Sequence, residues 1–201
     1  MSEEQLRHTY FPLGDLTKPQ VREIADKNGF VTSHKKESQD ICFVPDGDYA
    51  GMIERYRGKK YPSGDFVDLQ GHFLGTHDGI INYTIGQRRG LGIPADRRLY
   101  VTRINVERNE VTLADDSDLF KRELIVRDFH YITGEAPAEF ICSAKIRYRH
   151  KEQPCVVTVL DEKTAKIVFD EPQRAITAGQ SCVMYDGDVV LGGGIIDKVV
   201  D

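Results

Sequence analysis

Hydrophobic positions follow two rhythms along this chain, one near its start and another beyond residue 60. Over 18–27, Val21, Ile24 and Ala25 fall on one helical face. Thr17 supplies an N-cap, Gln20 three residues later completes a capping box, and Pro19 suits the first helical turn. Leu16 and Val21 have the spacing of a hydrophobic staple, and Asn28-Gly29 stops the helix. A short extended piece is expected at 30–32. A polar loop over 33–39 then leads into Ile41-Cys42-Phe43-Val44. Asp48 predicts the cap of a second helix, with Tyr49, Met52, Ile53 and Tyr56 on one face and Gly58 at its end.

Past that point the period shortens. Residues 62–98 mix glycine with short strand signals and end in the loop Gly86-Gln87-Arg88-Arg89-Gly90-Leu91-Gly92. Strands are predicted at 99–105 and 111–114, joined by a turn at Arg108-Asn109-Glu110. Beyond Ser117 nearly every segment reads as a strand, at 124–131, 140–149, 155–160, 166–169, 181–185, 189–191 and 195–200. Thr133-Gly134, Gln153-Pro154, Ala178-Gly179 and Asp186-Gly187 mark the turns between them. Such regular spacing predicts a small antiparallel barrel. The fold class is therefore mainly β with some α (α+β), in three parts.

Composition narrows this without redirecting it. The 201 residues are 40% hydrophobic and 29% charged, as in a globular chain. No apolar run approaches the roughly 18 residues that span a bilayer, and MSEEQLRHTY lacks the order of a signal peptide. A cytoplasmic protein with no membrane partner is expected. With 27 Lys+Arg against 32 Asp+Glu, a wholly basic surface is excluded, but a local basic patch is not. Cys42, Cys142, Cys155 and Cys182 are far apart and form no C-x-x-C pair, so neither a disulfide framework nor a zinc site is expected.

Among candidate chemical groups, Cys42 stands out. It follows the charged loop Lys35-Lys36-Glu37-Ser38-Gln39-Asp40 and precedes a helix, where a thiolate would be accessible. The competing reading makes it a small buried hydrophobe. The other three cysteines lie among apolar strand residues and read as packing. SAKIRYRHK, residues 143–151, holds Lys145, Arg147, Arg149 and Lys151 at period two, so one strand face would carry four cations. That face is either a phosphate-contact stripe or simply solvated. Arg88-Arg89, with Arg97-Arg98 beyond, form a second positive site in a loop that lacks the P-loop pattern. His72 and His77, without a third ligand nearby, read as loop residues. Gly192-Gly193-Gly194 reads as a ligand approach or as a barrel bend.

FPLGDLTKPQVREIA, ESQDICFV, residues 75–93 with YTIGQRRGLGI, KIRYRH and AGQSCVMYDGDVVLGGGII together resemble the tRNA-specific 2-thiouridylase (MnmA/TrmU) family. The similarity runs in order over nearly the whole chain. It implies ATP-dependent adenylation of the C2 oxygen of a wobble uridine, then replacement of that oxygen by sulfur carried as a persulfide. The resemblance places the persulfide on Cys42 and tRNA contacts at Arg147, Tyr148 and Gln180. Gln87, Arg88, Arg89, Lys145 and Arg149 are further candidates for tRNA contact. It also implies tRNA and a sulfur-donor protein (a sulfur relay or cysteine desulfurase) as partners, ATP as cofactor and no metal.

In this reading 1–44 is a helical remnant of an α/β catalytic domain, 45–116 a central tRNA-binding domain and 117–201 the barrel. The family's S-G-G-x-D-S-type ATP loop, first catalytic cysteine and K-D-Q-type tRNA motif do not occur in these residues. The chain is thus expected to be a truncated piece, inactive alone. Two other classes stay open: a non-catalytic RNA-binding β module with a structural Cys42, and a stand-alone sulfur carrier serving a protein partner.

Overall fold

The computed structural model describes residues 1–35, 44 and 47–200. Cys42 and the strand expected around it lie outside the described residues. The chain divides into two compact units, Met1–Gly58 and Lys59–Asp201.

In the first unit, helices form where local capping calls for them. Helix α1 (Glu3–Arg7) is closed by a reciprocal capping box between Ser2 and Gln5, with Glu3 and Glu4 in its first turn. The apolar pattern had given no sign of this helix, because five residues are too few to show a period. Helix α2 (Lys18–Lys27) lies where expected. The Thr17 backbone N–H and hydroxyl both donate to Gln20 Oε1, at 2.8 and 2.7 Å. Helix α3 (Tyr49–Arg57) is capped by Asp48, whose Oδ1 accepts from Gly51 N–H at 2.9 Å, and Gly58 ends it in the left-handed region. None of the three helices buries a residue. The extended piece expected at 30–32 is instead turn, since Ser33 N–H closes back on Phe30 O and leaves Val31 97% exposed.

The second unit opens with strands β1 (Gly64–Val67), β2 (Phe73–His77), β3 (Tyr100–Asn105) and β4 (Glu110–Ala114), in the order β2-β1-β4-β3. Strand β1 runs antiparallel to β2 but parallel to β4. Phe66, Ile80, Val101, Val111 and Leu113 form its core. The glycine loop lies along the edge strand β3: Gly86 N–H donates to Val101 O at 2.8 Å, and Val101 N–H to Gln87 O at 2.9 Å. The loop thereby occupies ladder groups that an edge strand would otherwise expose.

Strands β5 (Phe120–Tyr131), β6 (Glu139–Lys145), β7 (Gln153–Asp161), β8 (Thr164–Arg174), β9 (Ser181–Asp186) and β10 (Val189–Val200) close into a barrel in the order β10-β5-β8-β7-β6-β9. Alternate residues point inward, as period two requires, and Leu124, Val126, Val157, Ile167, Phe169, Met184 and Ile196 fill the interior. The pieces expected at 189–191 and 195–200 are one strand, β10, that passes through Gly192-Gly193-Gly194. A Cβ on Gly193 would stand 2.7 Å from Cys182 O, and one on Gly194 2.9 Å from Arg127 O. The triple glycine is therefore a close approach of paired strands, accompanied by register shifts against both neighbours.

The basic strand needs a larger correction. Strand β6 stops at Lys145, and 146–149 form a bend and turn closed by His150 N–H on Arg147 O at 3.1 Å. Lys145, Arg147, Arg149 and Lys151 therefore do not share a strand face. Cys142, Ala144 and Ile146 are buried in alternation, but the ladder has ended before the last of them.

Candidate functional site

Where the ladder ends, a cleft begins. Strand β6 pairs antiparallel with β9 through Lys145↔Val183, so the register brings residues 147–148 beside 180–181 as the two chains diverge. Cys142 and Ala144 on β6, with Cys182 and Met184 on β9, point into the barrel. Lys145, Ser181, Val183 and Tyr185 therefore face outward. The result is an open cleft of about 420 Å³ lined by Lys145, Arg147, Tyr148, Gln180, Ser181, Val183 and Tyr185. Residues more than thirty apart in sequence meet here only because the barrel closes.

Several polar groups in the cleft are anchored by their neighbours. Lys145 Nζ lies 3.0 Å from Glu152 Oε1 and 5.0 Å from the centre of the Tyr185 ring. The hydrogen bond to Glu152 raises the lysine pKa and keeps the ammonium charged. Arg147 Nη2 donates to Arg174 O at 2.7 Å, which leaves the rest of its fork open. Tyr148, at 97% exposure, presents a ring with both faces open to solvent. Gln180 is fixed through its backbone, since its carbonyl accepts from Ile196 N–H at 2.8 Å, and its side chain reaches the cleft. The cleft thus offers cations, an exposed aromatic face and an amide, a set suited to a phosphate-sugar backbone with unstacked bases.

Arg174 ties this cleft to the four-stranded sheet. Its guanidinium binds Asp116 Oδ1 through Nε (3.0 Å) and Nη2 (2.7 Å) and lies 5.5 Å from the Tyr100 ring centre. The next residue, Ala175, has φ 56°, an unfavourable backbone for alanine, and its N–H donates to Leu119 O. Gly86, φ +85°, packs against this point. A Cβ there would come within 3.1 Å of Ala175 Cβ.

The other candidates separate into distinct places. The Gln87 side chain is used within its own loop, accepting from Thr84 N–H and donating to Arg89 O, both at 3.0 Å. Arg88 and Arg89 are exposed on that loop, and Arg149 is exposed in the turn after β6. None of these four lines the cleft. His77 is a core residue: Gly79 N–H donates to its Nδ1 at 3.1 Å, so Nε2 carries the proton donated to Asn109 O at 3.1 Å. Cys142, Cys155 and Cys182 are buried in the barrel. Cys142 Sγ is 3.7 Å from Cys155 Sγ, a contact that pushes the Cys155 thiol up, and burial pushes Cys182 up to about 12. Tyr185 and Arg174 were missed from the sequence. A strand-face tyrosine and a lone arginine carry no local signal, and only the strand register reveals them.

Comparison with known proteins matches the chain in three stretches. Residues 1–46 match the family model described as tRNA methyl transferase HUP domain. Residues 50–115 match the tRNA methyl transferase PRC-barrel domain, and 121–196 the Aminomethyltransferase beta-barrel domain. The tRNA-specific 2-thiouridylase MnmA of Clostridioides difficile (strain 630) is 50% identical over 199 residues, covering 98% of this chain and 55% of the relative. Its counterpart MnmA 1 from Caldanaerobacter subterraneus subsp. tengcongensis is 49% identical over 201 residues, covering 100% and 55%. That of Carboxydothermus hydrogenoformans is 47% identical over 199 residues, covering 98% and 54%. The chain spans about half the length of the curated relatives it matches. With all three domain models in order and near 50% identity along its length, the chain belongs to the tRNA-specific 2-thiouridylase family.

Proposed function

We propose that this chain is the tRNA-holding part of a sulfurtransferase that 2-thiolates the wobble uridine of tRNA, and that Cys42 carries the sulfur. The observation that supports this best is the cleft, which gathers Lys145, Arg147, Tyr148 and Gln180 on one outer face of the barrel. The cations neutralise phosphates and Tyr148 stacks on an unpaired base, while Gln180 hydrogen-bonds a base edge or a 2′-hydroxyl. None of this requires a metal, and no His/Cys/Asp/Glu cluster fit for one occurs among the described residues.

In this reading the 2-oxygen of the uridine is activated by ATP, bound through sequence of the S-G-G-x-D-S type that these 201 residues do not contain. The 201-residue polypeptide alone therefore holds tRNA without thiolating it. Cys42 would receive sulfur from a donor protein as a persulfide, whose terminal sulfur is already at the sulfane level and needs no free sulfide. Cytoplasmic action alongside tRNA fits this assignment. No helix among the described residues is long and apolar enough to cross a membrane.

The test is Cys42→Ser in the gene that encodes this chain, read as wobble 2-thiouridine by mass spectrometry of cellular tRNA. Loss of the thio group is expected, with tRNA affinity unchanged. Normal thiolation would overturn the sulfur-transfer role and leave an RNA-binding β module.

A further inference from the structure

Apart from the cleft, the glycine loop borders an open, polar hollow of about 480 Å³, lined by Arg88, Gly90, Gly92, Asp96, Arg97 and Arg98 among others. Three guanidinium groups against one carboxylate leave it net positive in a chain whose overall charge is −5. Arg97 is held from behind, with Nη1 2.8 Å from Asp115 Oδ2. Arg88 and Arg98 have no acid partner among the described residues, so their donors are available. Gly90 (φ +75°) and Gly92 (φ +68°) take the left-handed backbone that glycine favours. A Cβ at Gly92 would meet nothing within 4 Å, so the backbone conformation rather than packing calls for glycine there. The loop is not free to drift, because Gln87 is bonded to Thr84, Arg89 and Val101. Two arginines without an acid partner, Arg88 and Arg98, beside the anchored Arg97 make an anion site rather than a merely solvated face.

We propose that Arg88, Arg97 and Arg98, on the Gly86–Gly92 loop and the segment after it, bind a phosphodiester group of the RNA backbone at a point separate from the barrel cleft. This rests on the tRNA-holding reading above and extends it, making the grip on RNA two-pointed. Gly86, packed on Ala175 beside Arg174, joins the loop to the element whose carbonyl anchors Arg147. Phosphate contacts set register without reading sequence, so this site contributes affinity and orientation, while Tyr148 and Gln180 address bases.

The experiment measures tRNA binding by fluorescence anisotropy across a KCl series, using the 201-residue chain, the Arg88→Ala/Arg98→Ala double variant and Arg147→Ala. The double variant is expected to bind about tenfold more weakly near 0.1 M salt. Its log K against log salt slope should flatten by roughly 0.7–0.9, the share of the one phosphate contact that is lost. Arg88→Lys/Arg98→Lys should recover most of that slope, which a merely structural role would not. An unchanged slope in the double variant, with Arg147→Ala weakened, overturns this site and leaves the cleft standing. A weakened double variant with Arg147→Ala unaffected overturns the cleft and keeps the site. Displacement of RNA by millimolar ATP in wild type, but not in the double variant, would assign the anion to a free nucleotide and overturn the RNA assignment. Absence of tRNA binding by the wild-type chain overturns both.

Discussion

Met1–Gly58 and the barrel reach order by opposite routes. The first has helices of five, ten and nine residues, held by Ser2, Gln20 and Asp48 at their starts, and none buries a side chain. Its apolar residues Tyr10, Phe11, Leu13, Ile24 and Val31 are exposed. The barrel uses almost no capping. It closes six strands over a core in which Phe169, Ile167, Leu124 and Met184 have no more than 1% exposure. A capping interaction contributes about 1 kcal/mol, and burying one large apolar side chain about 1.5–3 kcal/mol. Local signals therefore shape the three helices of the first unit, whereas the barrel is stabilised chiefly by contacts that no local signal announces.

This contrast is sharpest if the two are separated. A polypeptide of residues 1–58 is expected to show little helix by circular dichroism and no cooperative melting, because isolated helices shorter than ~12–15 residues are marginal in water. Residues 59–201 are expected to melt in one cooperative transition with strand-type ellipticity. A cooperative melt of 1–58 alone would break the comparison outright.

A subtler test uses two glycines. In the barrel, alanine at Gly193 would place a Cβ 2.7 Å from Cys182 O, a backbone atom that paired strands cannot withdraw. We expect Gly193→Ala to cost about 1–3 kcal/mol in urea denaturation, the range for overpacked sites. Gly29 in the first unit has φ +69° with nothing within 4 Å of the missing Cβ, so its alanine variant meets only backbone strain of about 1 kcal/mol. That strain should hardly register in the global unfolding midpoint, because α2 contributes little to it. Equal losses at the two positions would show that the first unit shares the barrel's cooperativity.

The same difference explains what could be read from the sequence. Helices α2 and α3 were legible to the residue, since Thr17, Gln20, Asp48 and Gly58 act within a turn of themselves. The barrel was legible as a class, because turn residues punctuate it. The limits of β6 were not. The alternation Cys142, Ala144, Ile146 runs on past the last ladder pair, and no Gly or Pro marks the turn at 147–150. The cleft was half legible. Lys145, Arg147 and Tyr148 lie together in sequence, but Gln180 joined them only by family resemblance, and Tyr185 only through the β6–β9 register. The parallel pairing of β1 with β4, across more than forty residues, leaves no local trace.

At the turn that ends β6, the barrel's close packing acts on a titratable group. His150 Nδ1 is buried without a hydrogen-bond partner. Burial lowers the His150 pKa, the neighbouring Arg147 guanidinium lowers it further, and the nearby Gln173 amide opposes both. The folded imidazole therefore binds its proton less readily than the unfolded one, whose pKa is about 6.5. With fewer protons bound in the folded state, stability is complete above that pH and is lost as pH falls toward the folded value. We expect the wild-type barrel to lose more stability between pH 7.5 and 5.5 than His150→Gln does, in parallel urea titrations. The His150 ring resonances should titrate with a midpoint below 6.5. A midpoint at or above that value would mean that the turn opens to solvent, and that the packing which fixes Arg147 at the cleft does not extend to its last residue.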